Sequence, residues 1–300
     1  MIDTHTHIGW DEYKISKNST PQRQSAEELI QKMDEIGIEK AVIFPFPFTS
    51  YFDLKTVYNE KMKPSGQMKY AYEDQNRYVI ECAKKYNRFI PFLAISLGEN
   101  NNYEDIEKLV VKNQQIRGLK LHSRFSRSPI RELVGSPFME LARKYKLSLM
   151  LHTDSKNINL PNLNFDHMDF SDPMQIIELA DKYPDVNIAA AHLGWCSYKF
   201  LEEVKKRENL FVDTSPFLFI CSSTWRASDA LELDYKSPKE ALTQICSEYG
   251  DSIIWGSDEP YTALGSNTLY EERRLLDFLD KKTREKISRE NTLRYLYDHC

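Results

Sequence analysis

The chain has 300 residues, of which 41% are hydrophobic and 12% aromatic, and it carries a formal net charge of -5. This composition is typical of a globular protein with a large core, and no Gly/Ser/Pro-rich segment divides the chain into domains. The acidic balance and the lack of a basic block argue against a nucleic-acid partner. We therefore expect a small-molecule substrate.

The five cysteines are widely spaced and include no C-x-x-C pair, so neither a disulfide framework nor a thiolate zinc site is indicated. No apolar run reaches the ~18 residues of a membrane span. The N-terminus also has no basic segment followed by an apolar one, which would mark a secretory signal. These features favour a cytoplasmic protein without a membrane partner.

Short apolar runs alternate with helical patterns along the chain. The first helix is indicated by a capping box at Ser25–Glu28 and ends at Gly37. The eight predicted strands are Ile2–His5, Ala41–Phe44, Phe89–Leu97, Ile116–His122, Leu147–Thr153, Val186–Ala191, Leu210–Asp213 and Ile253–Gly256. The later predicted helices are Tyr72–Lys85, Tyr103–Asn113, Phe138–Tyr145, Asp172–Tyr183, Phe200–Lys206, Pro238–Tyr249, Leu269–Leu279 and Ile287–Tyr297.

Eight strands that alternate with helices predict an α/β protein with a single (β/α)₈ TIM-type barrel domain. An open doubly wound sheet is the alternative, but it requires a Gly-rich phosphate turn after the first strand, where His5-Thr6-His7 stands instead. Two segments lack a periodic pattern. They are a probable lid insertion at about 46–70 and a long loop at about 214–236.

Five of the seven histidines stand at the end of a predicted strand. They are His5 and His7 on the first strand, His122 on the fourth, His152 on the fifth and His192 on the sixth. Asp258 follows the eighth strand. Because the C-terminal ends of barrel strands meet at one mouth, these side chains predict a metal site there.

Five motifs carry a resemblance to a known family. They are IDTHTH at 2–7, GLKLH at 118–122, LHT at 151–153, AHLG at 191–194 and WGSDEP at 255–260. With these motifs in this order, the chain resembles the amidohydrolase superfamily, most closely the amidohydrolase-related (amidohydrolase 2) branch that includes aminocarboxymuconate semialdehyde decarboxylase. The similarity extends through the whole chain to its closing helix.

The resemblance implies a ligand set for one divalent metal ion, consisting of His5, His7, His152 and Asp258. It also implies that His192 lies beside the water that the metal activates. Imidazole and carboxylate ligands suit Zn²⁺, and they also accept Mn²⁺ or Fe²⁺. Asp258 is expected to move a proton between that water and the leaving group, while His192 orients the water or stabilises an oxyanion.

Other residues near the strand ends are candidates for binding a second metal or the substrate. Lys120 and His122 could hold a second metal if Lys120 is carboxylated, or could contact substrate. Arg124 could bind a carboxylate on the substrate, because its planar guanidinium matches that group. The remaining pocket candidates are Trp10, Trp195, Tyr261, Phe48 and Arg226.

Two reactions fit this set equally well. The first is metal-dependent hydrolysis of a small amide, lactone or ester, and the second is non-oxidative decarboxylation of a small unsaturated or aromatic acid. A nuclease is disfavoured because superfamily members of that kind place a glutamate near strand four, where Lys120 and His122 stand here. A non-catalytic protein should have lost ligands, and none is missing. The branch resemblance also implies a homodimer.

Overall fold

The computed structural model describes residues 1–11, 22–47, 72–98, 101–126, 128–154, 170–221, 236–261 and 268–299. Nine strands form one sheet in the order β2-β1-β3-β4-β5-β6-β7-β8-β9. The strands are β1 (Ile2–Asp11), β2 (Gln22–Gln24), β3 (Lys40–Pro45), β4 (Phe89–Ile95), β5 (Gly118–Leu121), β6 (Ser148–Leu151), β7 (Ile188–Ala190), β8 (Leu210–Asp213) and β9 (Ile253–Ile254). All neighbours are parallel except β2, which pairs antiparallel with β1.

Eight parallel strands in a curled sheet confirm the predicted α/β class and are consistent with a TIM-type barrel. The strand order follows the chain without the reversal that a doubly wound sheet requires. Backbone hydrogen bonds also join the segment after β9 to β1. The Thr4 amide donates to the Trp255 carbonyl (3.1 Å), and the His7 amide donates to the Glu259 carbonyl (2.7 Å).

Helices alternate with the strands. They are α1 (Ala26–Ile36), α2 (Tyr72–Lys85), α3 (Tyr103–Lys112), α4 (Ser123–Ser126), α5 (Pro137–Tyr145), α6 (Gln175–Lys182), α7 (Tyr198–Val204), α8 (Phe217–Ile220), α9 (Pro238–Tyr249), α10 (Leu269–Leu275), α11 (Lys281–Glu285) and α12 (Asn291–Tyr297). Helix α1 begins at the predicted capping box of Ser25 and Glu28, and it ends at Gly37, whose φ is +75°.

The core has two layers because each strand is buried on both faces. Alternate residues point outward to the helices or inward to the barrel, as Ile43 and Phe44 do on β3. The interior layer is closed at one end by Tyr295 of α12, whose hydroxyl donates to the Leu149 carbonyl (2.9 Å). Lys120 pairs with the interior residue Met150 across β5 and β6 and therefore also faces the interior.

The predicted boundaries differ from the structure at a few places. The hairpin of β1 with β2 extends the first strand by six residues, and the helix predicted from Asp172 begins at Gln175. The probable lid at 46–70 lies outside the described residues beyond position 47, and the loop at 214–236 lies outside them from 222 to 235. No helix in the described ranges is both long and apolar enough to cross a membrane.

We predict that Gly118→Ala lowers the free energy of unfolding by about 2–3 kcal/mol, as overpacked cores do. A Cβ on Gly118 would lie 2.2 Å from the Phe92 ring and 2.5 Å from the Ser148 carbonyl oxygen. Denaturant unfolding monitored by circular dichroism measures the loss. The control is Gly135→Ala, where a Cβ meets nothing within 4 Å but φ is +78°, so that about 1 kcal/mol is expected. Equal losses would contradict the packing argument.

Candidate active site

The five predicted histidines form one continuous cluster at the C-terminal ends of the strands. The ring centroids of His7 and His5 lie 5.3 Å apart, and those of His5 and His192 lie 5.4 Å apart. His192 meets the His152 ring edge-on at 4.7 Å, and His152 stacks on His122 at 3.6 Å. Residues from four strand ends, up to 187 positions apart in sequence, are thereby brought together.

Asp258 lies against the first two histidines. Its Oδ1 is 3.3 Å from Nε2 of His5 and 3.3 Å from Nε2 of His7. Burial opposes ionisation of the Asp258 carboxyl, but its interactions with His5 and His7 outweigh burial and lower its pKa to about 2. These three residues place their ligand atoms within 4.8 Å of one another.

The outer ring nitrogens of His5 and His7 are held by acceptors. Nδ1 of His5 lies 2.6 Å from Oδ2 of Asp213, and Nδ1 of His7 lies 3.0 Å from the Pro45 carbonyl oxygen. A carboxylate and a carbonyl can only accept, so both Nδ1 atoms carry the proton. Both Nε2 atoms therefore present lone pairs to Asp258, which is the form of imidazole that binds metal ions.

His192 is held in the same tautomer by a different element. Its Nδ1 donates to the Ser215 carbonyl (2.6 Å), and its backbone amide donates to Oδ1 of Asp213 (3.1 Å). Asp213 therefore positions two histidines at once, because its other oxygen binds His5. His5, His192 and Asp213 form a second group whose ligand atoms lie within 4.8 Å of one another.

The backbone that carries His192 is strained. Residues His192–Cys196 all have φ between +53° and +61°, a left-handed turn that costs non-glycine residues roughly 1–2 kcal/mol each. Gly194 stands where the turn crosses Phe200, whose ring would lie 2.1 Å from a Cβ. Asp258 also has a positive φ of +64°. Strain of this kind concentrates at functional sites.

His152 faces the cluster with the opposite nitrogen. Its Nε2 lies 3.3 Å from Oδ2 of Asp154, and its Nδ1 lies 2.9 Å from Nε2 of His192. Burial lowers the pKa of His152, although Asp154 acts against this, so we take the ring as neutral with its proton on Nε2. Two lone pairs then face each other between His152 and His192, an arrangement that a bound cation would stabilise.

The donor set therefore fits a divalent metal. Four imidazoles present lone pairs to the site, and each has its other nitrogen bound to an oxygen acceptor. Outer acceptors of this kind orient metal-binding histidines. His152 belongs to neither of the two groups found among the described residues, so its place as a ligand remains a prediction.

Lys120 lies beside the same site. Its Nζ is 3.2 Å from Nε2 of His5 and 5.0 Å from the centre of the Phe44 ring. Burial lowers the pKa of the Lys120 amine to about 8, although Asp213 and Asp258 oppose this shift. His122, which shares the strand end, stacks on His152.

The predicted pocket residues have different surroundings. Nη2 of Arg124 donates to Oδ1 of Asp154 at 2.6 Å, and both side chains are buried. Tyr261 meets His7 edge-on at 5.2 Å, Phe46 stacks on His7 at 5.6 Å, and the Phe46 and Tyr261 rings meet each other edge-on at 5.5 Å. Four other candidates fall elsewhere. Trp195 is buried in the left-handed turn, the Trp10 side chain is not described, and Phe48 and Arg226 lie outside the described residues.

The two carboxylates behind the histidines were not predicted from the sequence. Asp213 is the last residue of the seventh predicted strand, and Asp154 follows His152 by two positions. The rule that chemistry collects at the C-terminal ends of barrel strands applies to both. It would have identified them if it had been applied to acidic residues as well as to histidines.

Comparison with known proteins places the chain in a family. A model of the family Amidohydro_2, described as amidohydrolase, matches residues 2–296. A probable 2-pyrone-4,6-dicarboxylic acid hydrolase from Acinetobacter baumannii has a TM-score of 0.61 at 16% identity, covering 98% of both chains. A 4-oxalomesaconate hydratase from Rhodopseudomonas palustris has the same TM-score and identity, covering 98% of this chain and 95% of its own. No curated protein matches the sequence.

A buried carboxyl group lies near the site without an assigned role. Glu272 of α10 accepts the backbone amide of Leu218 in α8 (2.9 Å) through Oε1, while Oε2 has no hydrogen-bond partner among the described residues. Burial raises the pKa of the Glu272 carboxyl from 4.5 to about 8, and the charges of Asp258 and Asp3 add to this shift. The folded protein therefore holds a proton that the unfolded chain releases.

We predict that Glu272→Gln removes a pH dependence of stability. Between pH 4.5 and about 8 the folded state binds more protons at Glu272 than the unfolded state, so the stability falls as the pH rises through this range. The melting temperature of the variant, relative to that of the wild type, should therefore rise from pH 5 to pH 8. The control is Glu104→Gln at an exposed position, for which the difference in melting temperature from the wild type should not change with pH. Melting temperatures of Glu272→Gln and of the wild type that change in parallel with pH would contradict the prediction.

Proposed function

Because the chain belongs to the amidohydrolase family, we propose that it is a metal-dependent hydrolase of a small amide, lactone or ester. The observation that carries this proposal is the fixed protonation of the cluster. His5, His7 and His192 each bind an acceptor through Nδ1 and direct a lone pair inward from Nε2. Such a set is arranged to hold a cation, and ligand sets of this kind serve to activate water.

The ion would be held by His5, His7, His152 and Asp258. When bound, one divalent ion such as Zn²⁺ would lower the pKa of a water toward roughly 7 and polarise the substrate carbonyl. Mn²⁺ or Fe²⁺ would suit the same nitrogen and oxygen ligands. We propose one ion, because the amine of Lys120 must be carboxylated before it can bridge two.

Asp258 is suited to move a proton. Its low pKa keeps the carboxylate ionised at neutral pH, so it can accept a proton from the attacking water and then pass it to the leaving group. Oδ1 lies between His5 and His7, and the Asp258 amide donates to the His5 carbonyl (2.8 Å). The carboxylate is therefore pre-oriented before substrate binds.

His192 is suited to orient the water. Because its Nδ1 donates to Ser215, its Nε2 can accept a hydrogen bond but cannot donate one. This tautomer favours the first of the two predicted roles, orientation of the water, over stabilisation of an oxyanion. The aromatic wall of Phe46 and Tyr261 beside His7 would pack against a planar part of the substrate.

We predict that His5→Ala with His7→Ala abolishes metal binding and lowers hydrolysis by at least about 100-fold, since two ligands are lost. Metal content is measured by elemental analysis, and turnover is measured on a panel of small amides, lactones and esters. His299→Ala is the control, because that histidine lies near the C-terminus, away from the strand ends. Unchanged metal content and turnover in the double variant would refute the proposal.

The same panel separates hydrolysis from the alternative reaction. Small unsaturated and aromatic carboxylic acids are added, and released carbon dioxide is measured next to hydrolysis products. The proposed hydrolase should hydrolyse amides, lactones or esters without releasing carbon dioxide. Carbon dioxide release that depends on His5 and His7, without any hydrolysis, would contradict the proposed hydrolase and identify the protein as a non-oxidative decarboxylase.

A further inference from the structure

Asp154 is a buried carboxylate that binds two different groups with its two oxygens. Oδ1 accepts from Nη2 of Arg124 at 2.6 Å, and Oδ2 lies 3.3 Å from Nε2 of His152. Burial opposes ionisation of Asp154, but His152 and Arg124 outweigh it and lower the pKa of the carboxyl. The Asp154 amide also donates to the Ser171 carbonyl (3.2 Å), which fixes the backbone. The side chain is thus held by two partners and its backbone by a third.

Each oxygen of Asp154 has a distinct consequence. An ionised carboxylate can only accept, so the oxygen that faces His152 requires a proton on Nε2. A neutral imidazole has one N–H, and Nδ1 of His152 then carries the lone pair that points to His192, 2.9 Å away. Arg124 binds the opposite oxygen and thereby keeps the carboxylate from turning.

We propose that Asp154 is a positioning residue that selects the metal-binding tautomer of His152, and that Arg124 locks Asp154 in this orientation. This inference rests on the proposed function, because the selected nitrogen is the one that would face the ion. Arg124 then acts through the protein's own carboxylate, in addition to any contact that it makes with substrate.

The competing tautomer explains why a selecting residue is needed. With its proton on Nδ1, His152 would donate to Nε2 of His192, and the two rings would satisfy each other without an ion. That closed pair withdraws two lone pairs from the cluster. Asp213 performs the corresponding task for His5 from the other side, where it binds Nδ1 and leaves Nε2 facing inward. The two carboxylates thus select opposite nitrogens of two histidines.

Asp154→Asn tests the selection because an amide has only one acceptor oxygen. Arg124 would bind that oxygen, so the NH₂ group would face His152 and force a lone pair onto Nε2. The proton of His152 would then move to Nδ1. In Asp154→Asn with Arg124→Met, the guanidinium that binds the amide oxygen is absent, so the amide is free to turn its oxygen back toward His152. The double variant should therefore recover part of what the single variant loses.

Two measurements report the outcome. ¹⁵N NMR of the metal-free protein identifies the protonated nitrogen of His152, with His152→Gln supplying the assignment. Zinc affinity is measured by competition with a chelator. We expect Nε2–H in the wild type, Nδ1–H in Asp154→Asn with a 10–100-fold loss of zinc affinity, and partial recovery of both in the double variant. Asp185→Asn, which breaks an exposed pair with Arg143, is the control and should change neither.

The results separate this inference from the proposed function. Nε2–H retained in Asp154→Asn with unchanged zinc affinity would overturn the positioning role, even if the wild type binds zinc and hydrolyses substrate. An equal loss of zinc affinity in the single and double variants, without a tautomer change, would also overturn it, because a general structural defect would then be sufficient. Lack of hydrolysis by the wild type, or lack of binding of Zn²⁺, Mn²⁺ and Fe²⁺ alike, would instead refute the proposed function, while the tautomer shift would still be measured in metal-free protein.

Discussion

The candidate site depends on a single constraint, which is that a neutral imidazole has one proton for two nitrogens. His5, His7, His152 and His192 each bind an oxygen acceptor through one ring nitrogen, so the other nitrogen, which faces the site, is left with a lone pair. The acceptors are of two kinds, the carboxylates of Asp213 and Asp154 and the carbonyls of Pro45 and Ser215. The chemistry at the C-terminal ends of the strands is thereby determined by these acceptors, which lie behind the histidines.

These acceptors come from the same framework that closes the sheet. Asp213 ends β8, and the backbone around Asp258 bonds to β1. The strained left-handed turn of His192–Cys196 persists because Asp213 and Ser215 bind His192 from the neighbouring strand end. Fold and site therefore support each other, since the hydrogen bonds that hold the strained backbone also orient the rings.

Much of the fold and of the site could be predicted from the sequence, because both depend in part on local patterns of residues. The strand and helix alternation, the α1 capping box and the interior-facing Lys120 follow from periodicity and spacing. The hairpin of β1 and β2 and the short helices α4 and α8 were not predicted, because they are too brief to show a period. The two carboxylates were missed because their role is defined only by the ring nitrogen that they contact.

The sequence by itself determined the fold class, the family and the residues that gather at the mouth, because these follow from periodicity and from motifs in a fixed order. Only the tertiary structure decided which nitrogen of each histidine faces inward. It also decided that the guanidinium of Arg124 binds Asp154 inside the protein. The physical reason is that protonation and pairing depend on contacts between residues that are distant in sequence, such as His5 and Asp213, and these contacts exist only after the strands have come together.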